Sequence, residues 1–325
     1  MFEEPLINLL ILIGSLVVLD RACDLIVTSA VKVSDIAGFG KTTVGFVIVA
    51  VCSSLPAIAV SIIASLTGRI DVAVGNAVGS SLANVSLILG VCLLLAALRK
   101  VENTKPLMSM TRQETSSLYF GLFIASAVPL VLLFIGYANR LMGIILIIVF
   151  IGYNYQLLRS GGHHEKKSSQ IKRSRGALKY ALLTILSSVV IVVAAYFMVN
   201  SASSIALSMH ISAVVIGGTV VAFGTSVSVL LASVRAILRR HTDLSLGNII
   251  GTLNVNTTVV LGASLALWTA NANMTVYSSL FIFSVVANVL VWYFLWNGKM
   301  GWKQGVVLSL MYFIFLIVSF GVYKP

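Results

Sequence analysis

Two stretches of this chain, residues 180–234 and 244–298, each run for 55 residues without a Lys, Arg, Asp or Glu. A soluble domain carries about 25% charged residues, so neither stretch can coat itself for water. Shorter uncharged runs occupy residues 42–68, 72–98, 115–139, 141–158 and 304–323. A helix crosses the hydrocarbon core with about 20 apolar residues, so each short run holds one span and each long run two. The long runs are expected to turn near residues 201–212, where serines and His210 gather, and near residues 271–275. One more span, over residues 6–32, carries Asp20, Arg21 and Asp24. The result is an all-α polytopic membrane protein of ten transmembrane helices. Met1, Phe2, Glu3 and Glu4 offer no positive n-region, so the first span is read as retained rather than as a signal peptide.

Composition agrees with the charge gaps. Hydrophobic residues make up 58% of the chain and charged ones 10%, and the mean hydropathy is +1.03. These values exclude a disordered chain and a nucleic-acid-binding domain. Cys23, Cys52 and Cys92 all lie in apolar stretches and form neither a disulfide framework nor a metal cluster. The net charge of +12 follows from topology. Eighteen Lys and Arg fall in loops after odd-numbered spans, against Arg69, Arg140 and Lys324 on the other side. The positive-inside rule therefore puts both termini outside. Short loops suit a prokaryotic cytoplasmic (inner) membrane. Residues 159–179 read as a basic cytoplasmic linker, with His163 and His164 as solvated members of it.

The chain also matches itself at an offset of 172 residues. Gly45 to Ser54 aligns with Gly217 to Ser226, and Asp71 to Ser80 with Asp243 to Thr252. Asn84 pairs with Asn256 and Gly90 with Gly262, without a gap. Five spans separate equivalent positions, so the copies cross in opposite directions. Residues 1–158 and 180–325 then form two inverted five-helix repeats, which in secondary transporters place the site near the midplane between them. Gly45, Gly90, Gly217 and Gly262 are expected at close helix contacts. Ser53, Ser54, Asn84, Thr225, Ser226, Asn254 and Asn256 lie deep in the spans, where polar groups line cavities.

At residues 45–90 and 217–262 the chain resembles the cation/calcium exchanger superfamily of sodium/calcium exchanger-like membrane proteins. Each repeat in that family carries a GTS-L-P-E box and a later G-N-x-x-G-S-N-x-x-[ND] box. The second box is present as Gly75, Asn76, Gly79, Ser80, Ser81 and Asn84, and again as Gly247, Asn248, Gly251, Thr252, Asn254 and Asn256. The first box departs: the family's two ion-binding glutamates correspond to Ala57 and Val229, and its optional aspartate to Asn256. The resemblance implies an exchanger fold whose midplane, in this chain, holds no carboxylate.

The candidate ion or substrate ligands are Ser53, Ser54, Ser80, Asn84, Thr225, Ser226, Thr252 and Asn256. Hydroxyls and amides can replace the water around a monovalent cation, whereas calcium wants six to eight oxygens with several carboxylates among them. Ser54 followed by Pro56 reads as an N-cap that starts a half-helix, and Thr225 with Ser226 does the same in the second copy. With the glutamates gone, the positive ends of those half-helices open the midplane to an anionic or zwitterionic solute. Asp71 and Asp243 read as helix N-terminal charges. Asp20 and Asp24, four residues apart on one face, are the membrane-embedded carboxylates available for proton coupling.

The leading expectation is a secondary-active antiporter working by alternating access. Its cargo is a small ion, drawn from sodium, calcium and protons, with sodium held by Ser54, Ser226, Asn84 and Asn256. Two readings stay open beside it: a transporter or flippase of a monovalent, anionic or zwitterionic solute, and a non-transporting relative. No nucleophile–base arrangement, cofactor motif or resident metal cluster occurs in the spans, so an enzyme is not expected. The partners implied are the lipid bilayer and small ions or solutes, and no nucleic acid.

Overall fold

The computed structural model describes residues 3–37, 50–51, 53–99, 112–160, 176–240, 242–298 and 300–322. Their regular structure is helical apart from one antiparallel pairing of Tyr137–Ala138 with Ala272–Asn273. Helix α1 spans Glu3–Ala37 and α2 spans Leu55–Leu66. Helix α3, Ile70–Ala83, passes through a π-helical turn at Asn84–Ile88 into α4, Leu89–Leu98. Helices α5 (Arg112–Ile135), α6 (Arg140–Ser160) and α7 (Gly176–Ser208) follow. Helix α8, Ala213–Ile216, leads through a second π-turn at Gly217–Val221 into α9, Ala222–Thr225, and then α10, Val227–Leu238. Helix α11, Thr242–Val255, joins α12, Leu261–Leu267, through a third π-turn at Asn256–Val260. The chain ends in α13, Ser278–Trp296, and α14, Trp302–Val322.

Six stretches are long and apolar enough to cross a membrane: Ile70–Leu98, Leu118–Ile135, Val189–Ser208, Leu244–Leu267, Met274–Trp296 and Trp302–Gly321. A seventh forms if Ala213–Thr225 and Val227–Leu238, bent by 42°, are taken as one. Among the described residues this is fewer than the ten predicted from charge gaps, and α2 accounts for part of the difference. Helix α2 has 12 residues, about 18 Å of rise, which falls short of a hydrocarbon core on its own. Its N-terminal neighbours, residues 42–49, and the linker residues 161–175 lie outside the described residues.

The distribution of side chains is that of a protein dissolved in lipid. Ile144, Ile148 and Ile151 are exposed along α6, and Leu310, Ile314 and Ile317 along α14. Asparagines, serines and threonines are buried instead. Such an apolar exterior fits a bilayer, where polar groups turn toward the bundle interior.

Local structure repeats with the sequence. Helix α2 recurs as α10, α3 as α11 and the turn Asn84–Ile88 as Asn256–Val260, each 172 positions later. The long helices cross where they have no side chain. A Cβ on Gly75 would stand 2.9 Å from the Gly218 nitrogen, and one on Gly79 would overlap the Gly218 carbonyl. Gly90 meets Gly305 in the same way and Gly262 meets Gly143, with 2.9 Å from the added carbon to the facing carbonyl in both. Gly45 lies outside the described residues. The turns predicted in the long uncharged runs fall at residues 209–212, between α7 and α8, and at residues 268–277 before α13.

Gly79→Val forces backbone apart and should destabilise by about 1–3 kcal/mol, as overpacking does. Gly14→Ala, with open space around the new carbon, should leave thermal unfolding in detergent unchanged. Equal melting temperatures for the two variants would contradict this packing.

Candidate cation site

Two kinks define the centre. Pro56 sits in the first turn of α2, directly after Ser54 and Leu55, and the second copy reproduces the kink at Ser226 without a proline. The backbone barely opens at either point. Ser54 keeps φ −90° and ψ −4°, and Ser226 φ −90° and ψ −2°. The Ser54 N–H donates to Ala50 and Val51 carbonyls at 3.1 Å, and the Ser226 N–H to Ala222 and Phe223 at 3.1 Å. Neither serine side chain caps a helix. A half-helix does start after each serine, with Pro56 in the first turn of α2 and a 42° bend in the second copy, but neither hydroxyl makes the capping bond.

Around the kinks, two buried amides tie the repeats together. Asn76 on α3 donates through Nδ2 to the Ala57 carbonyl at 3.1 Å and to Ser61 Oγ at 2.9 Å. Its Oδ1 accepts from Thr225 Oγ1 at 2.8 Å, across the repeat boundary. Asn248 on α11 does the same in mirror: Nδ2 donates to Ser233 Oγ at 3.1 Å, and Oδ1 accepts from Ser53 Oγ at 3.1 Å. Ser53 corresponds to Thr225, Ser61 to Ser233 and Asn76 to Asn248, all at the offset of 172. The two cross-repeat bonds are thus reciprocal. Neither Asn76 nor Asn248 was among the candidate ligands, although both stand in the repeated Gly-Asn pair that could have marked them. Ser228, where the first copy has Pro56, adds a third link by donating to the Ser53 carbonyl at 3.0 Å.

Two further pairs of candidates bond across the repeat boundary. Ser80 reaches Thr225 Oγ1 at 3.1 Å, and Asn84 Nδ2 donates to Thr252 Oγ1 at 3.2 Å. The Thr252 hydroxyl proton goes to the Ile249 carbonyl at 2.9 Å. Thr252 can therefore only accept from Asn84, which fixes that amide with its carbonyl turned away. Buried side-chain oxygens without a hydrogen-bond partner among the described residues include Ser54 Oγ, Ser226 Oγ, Asn84 Oδ1 and Asn256 Oδ1, which form two repeat-equivalent pairs. Others, on Ser65, Asn254, Ser284, Asn288 and Ser309, have no unpartnered equivalent in the other repeat.

Charge is absent from this crossing. Ala57 and Val229 are 2% exposed and belong to the main apolar core. Asp71, in the first turn of α3, is exposed and accepts a hydrogen bond from Tyr277 at 2.7 Å, so its side chain is engaged at a helix end. The side chains of Asp24 and Asp243 lie outside the described residues, and Asp20 is half-buried on α1. No group of three or more His, Cys, Asp or Glu side chains suited to a metal occurs among the described residues.

Asn76→Ala gives up the hydrogen bonds to Ala57, Ser61, Ser80 and Thr225, each worth about 0.5–1.5 kcal/mol. Asn84→Ala gives up one bond and removes an oxygen already unpartnered. Asn76→Ala should therefore lower the unfolding temperature clearly more than Asn84→Ala, and the reverse order would refute this assignment of the amides.

The chain matches known proteins across nearly its whole length. The profile of the family described as sodium/calcium exchanger protein covers residues 7–158 and 179–321. An uncharacterized membrane protein, MJ0091, of Methanocaldococcus jannaschii is 30% identical over 209 residues, 64% of this chain and 65% of that one. The sodium/calcium exchanger MaX1 of Methanosarcina acetivorans is 28% identical over 97% of this chain and 99% of its own. Among solved structures, the sodium-calcium exchanger NCX_Mj soaked with sodium and strontium superposes with a TM-score of 0.66. It is 23% identical, over 95% of this chain and 98% of that one, a likeness of fold. This carboxylate-free, amide-lined crossing thus sits in a chain that belongs to the sodium/calcium exchanger protein family, a family of membrane transporters rather than enzymes.

Proposed function

We propose that the chain is a secondary-active cation antiporter that works by alternating access between two inverted five-helix repeats. The observation that carries this reading is the set of four unpartnered oxygens on Ser54, Ser226, Asn84 and Asn256. An orphaned acceptor buried in a bundle costs about 1–3 kcal/mol unless something donates to it or carries positive charge. Asn84 Oδ1 can only accept, because its amide nitrogen is committed to Thr252. The partner such oxygens call for is a cation. Ser53, Thr225, Ser80 and Thr252 steady those ligands from behind. Ten spans, with both termini outside a prokaryotic inner membrane, complete the proposal, supported by the recurrence of α2 and α3 as α10 and α11 and by the loop charges.

The same oxygens argue against tight calcium binding. Burying a charge without compensation costs tens of kcal/mol by Born estimates and grows with its square. Four neutral oxygens and nearby carbonyls suit a monovalent ion. The anionic or zwitterionic alternative rests on the helix starts at Leu55 and Val227, and the unpartnered oxygens beside them favour a cation over it. Where protons take part, Asp20 and Asp24 are the groups proposed to carry them.

Sodium should raise the unfolding temperature of the purified protein, and Asn84→Ala with Asn256→Ala should weaken that response about ten-fold or more, the loss expected when two ligands go. A melting curve that ignores every alkali cation would sink the proposal. Restoring charge with Ala57→Glu and Val229→Glu should create gradient-driven calcium uptake in proteoliposomes that the wild type lacks. Calcium uptake by the wild type would show the electrostatic objection to be wrong. A cysteine placed at Ser168 should react with impermeant thiol reagents only from the cytoplasmic side, and labelling from outside would reverse the topology.

A further inference from the structure

We infer that this carrier also moves a monovalent cation without a counter-ion, as net flux driven by membrane voltage. The inference rests on the cation reading above and concerns what happens when the site is empty. Exchange is obligatory only where the empty carrier cannot turn around. Carboxylates at a dehydrated centre enforce that: unloaded, they are uncompensated charges that must stay buried through the low-dielectric transition, and a bound cation relieves them. Here no such group faces the crossing among the described residues.

The side chains that meet there are hydroxyls and amides: Ser53, Ser54, Asn76, Ser80, Asn84, Thr225, Ser226, Asn248, Thr252 and Asn256. The positions one turn past the serines are Ala57 and Val229, both packed in the apolar core. Residues 72–98, 213–234 and 244–267, which build the crossing, contain no charged side chain. Asp71 and Arg235, at the ends of α3 and α10, are both exposed. The empty centre is therefore electrically neutral, and water can satisfy its orphaned oxygens. The bonds that join the repeats at the two kinks are also neutral. Ser53 to Asn248, Thr225 to Asn76 and Ser228 to the Ser53 carbonyl are hydroxyl bonds, with no ion pair among them.

Loading reverses the situation, since the occupied carrier holds one positive charge. Voltage then acts on the loaded step and leaves the empty return untouched. One charge per cycle lets 100 mV sustain a gradient of about fifty-fold. The centre of this chain thus has the electrostatics of a uniporter on an exchanger scaffold.

The test uses the full chain in phosphatidylcholine/phosphatidylglycerol vesicles with radioactive sodium outside. One set of vesicles holds sodium inside and the other only N-methylglucamine, a cation too large for the site. An inward thiocyanate gradient makes the interior negative. Net uptake into the N-methylglucamine vesicles should come within about three-fold of exchange and rise with thiocyanate, the mark of a charge-carrying step. Uptake only when sodium is inside would overturn the inference and leave the antiporter reading standing. Uptake in neither set would overturn both.

Charge substitution supplies the second arm. Asn256→Asp changes shape little and puts a carboxylate on the crossing. Whatever it does to the exchange rate itself, it should cut the ratio of net flux to exchange by about ten-fold or more, because the empty return now moves buried charge. Ala57→Glu tests the same point at a second position. If both variants fold and exchange yet keep the wild-type ratio, charge at the centre does not govern the mode of transport and the inference falls.

Discussion

The pair of reciprocal bonds from Thr225 to Asn76 and from Ser53 to Asn248 is the constraint on which the rest of the structure depends. In a lipid-embedded bundle an amide has no bulk water to fall back on, so its partners must come from the protein. Each asparagine takes its donor from the kink of the opposite repeat and spends its own N–H groups on a serine of the helix beside it. That arrangement fixes the register of α3 against the kink at Ser226 and of α11 against the kink at Ser54. Close approach is then unavoidable, and the glycines at 75, 79 and 218 allow it.

Once the framework amides are satisfied, the leftover oxygens stand out. Asn76 uses both ends of its side chain, whereas Asn84 has only its nitrogen bonded. The same residue type serves two purposes one helical stretch apart. Asn76 holds the bundle together, and Asn84 presents an acceptor to the crossing. Their equivalents Asn248 and Asn256 divide in the same manner, since Asn256 Oδ1 is also unpartnered. Such orphans, carried twice at equivalent positions, are the observation behind the proposed cation site.

Much of the architecture was legible before any coordinates, because the costs that write it are local. Charge is expensive in hydrocarbon, so uncharged runs outline the helices, and an ungapped offset exposes the repeat directly. The buried polar residues were legible too, as serines, threonines and asparagines deep in apolar runs. The span count was less so: a charge gap does not reveal where a helix is interrupted, and α2 is only 12 residues long. The helix start after Ser54 was legible from the Ser and Pro spacing, but the absence of a capping bond from its hydroxyl was not, because that depends on side-chain geometry.

By itself the sequence determined that the chain lives in a membrane, that it is a doubled unit, and that its centre lacks carboxylates. Composition and spacing suffice for these, since each follows from the identity of single residues. Only the tertiary structure decided which polar residues bind each other and which are left open. The partners of Asn76 and Asn248 lie 149 and 195 residues away, beyond any periodicity a helix can display. The direction of the Asn84 carbonyl rests on where the Thr252 proton goes, and that is settled by the Ile249 carbonyl one turn below. A hydrogen-bond network assigns its own acceptors, and it can do so only when all of its members are in place.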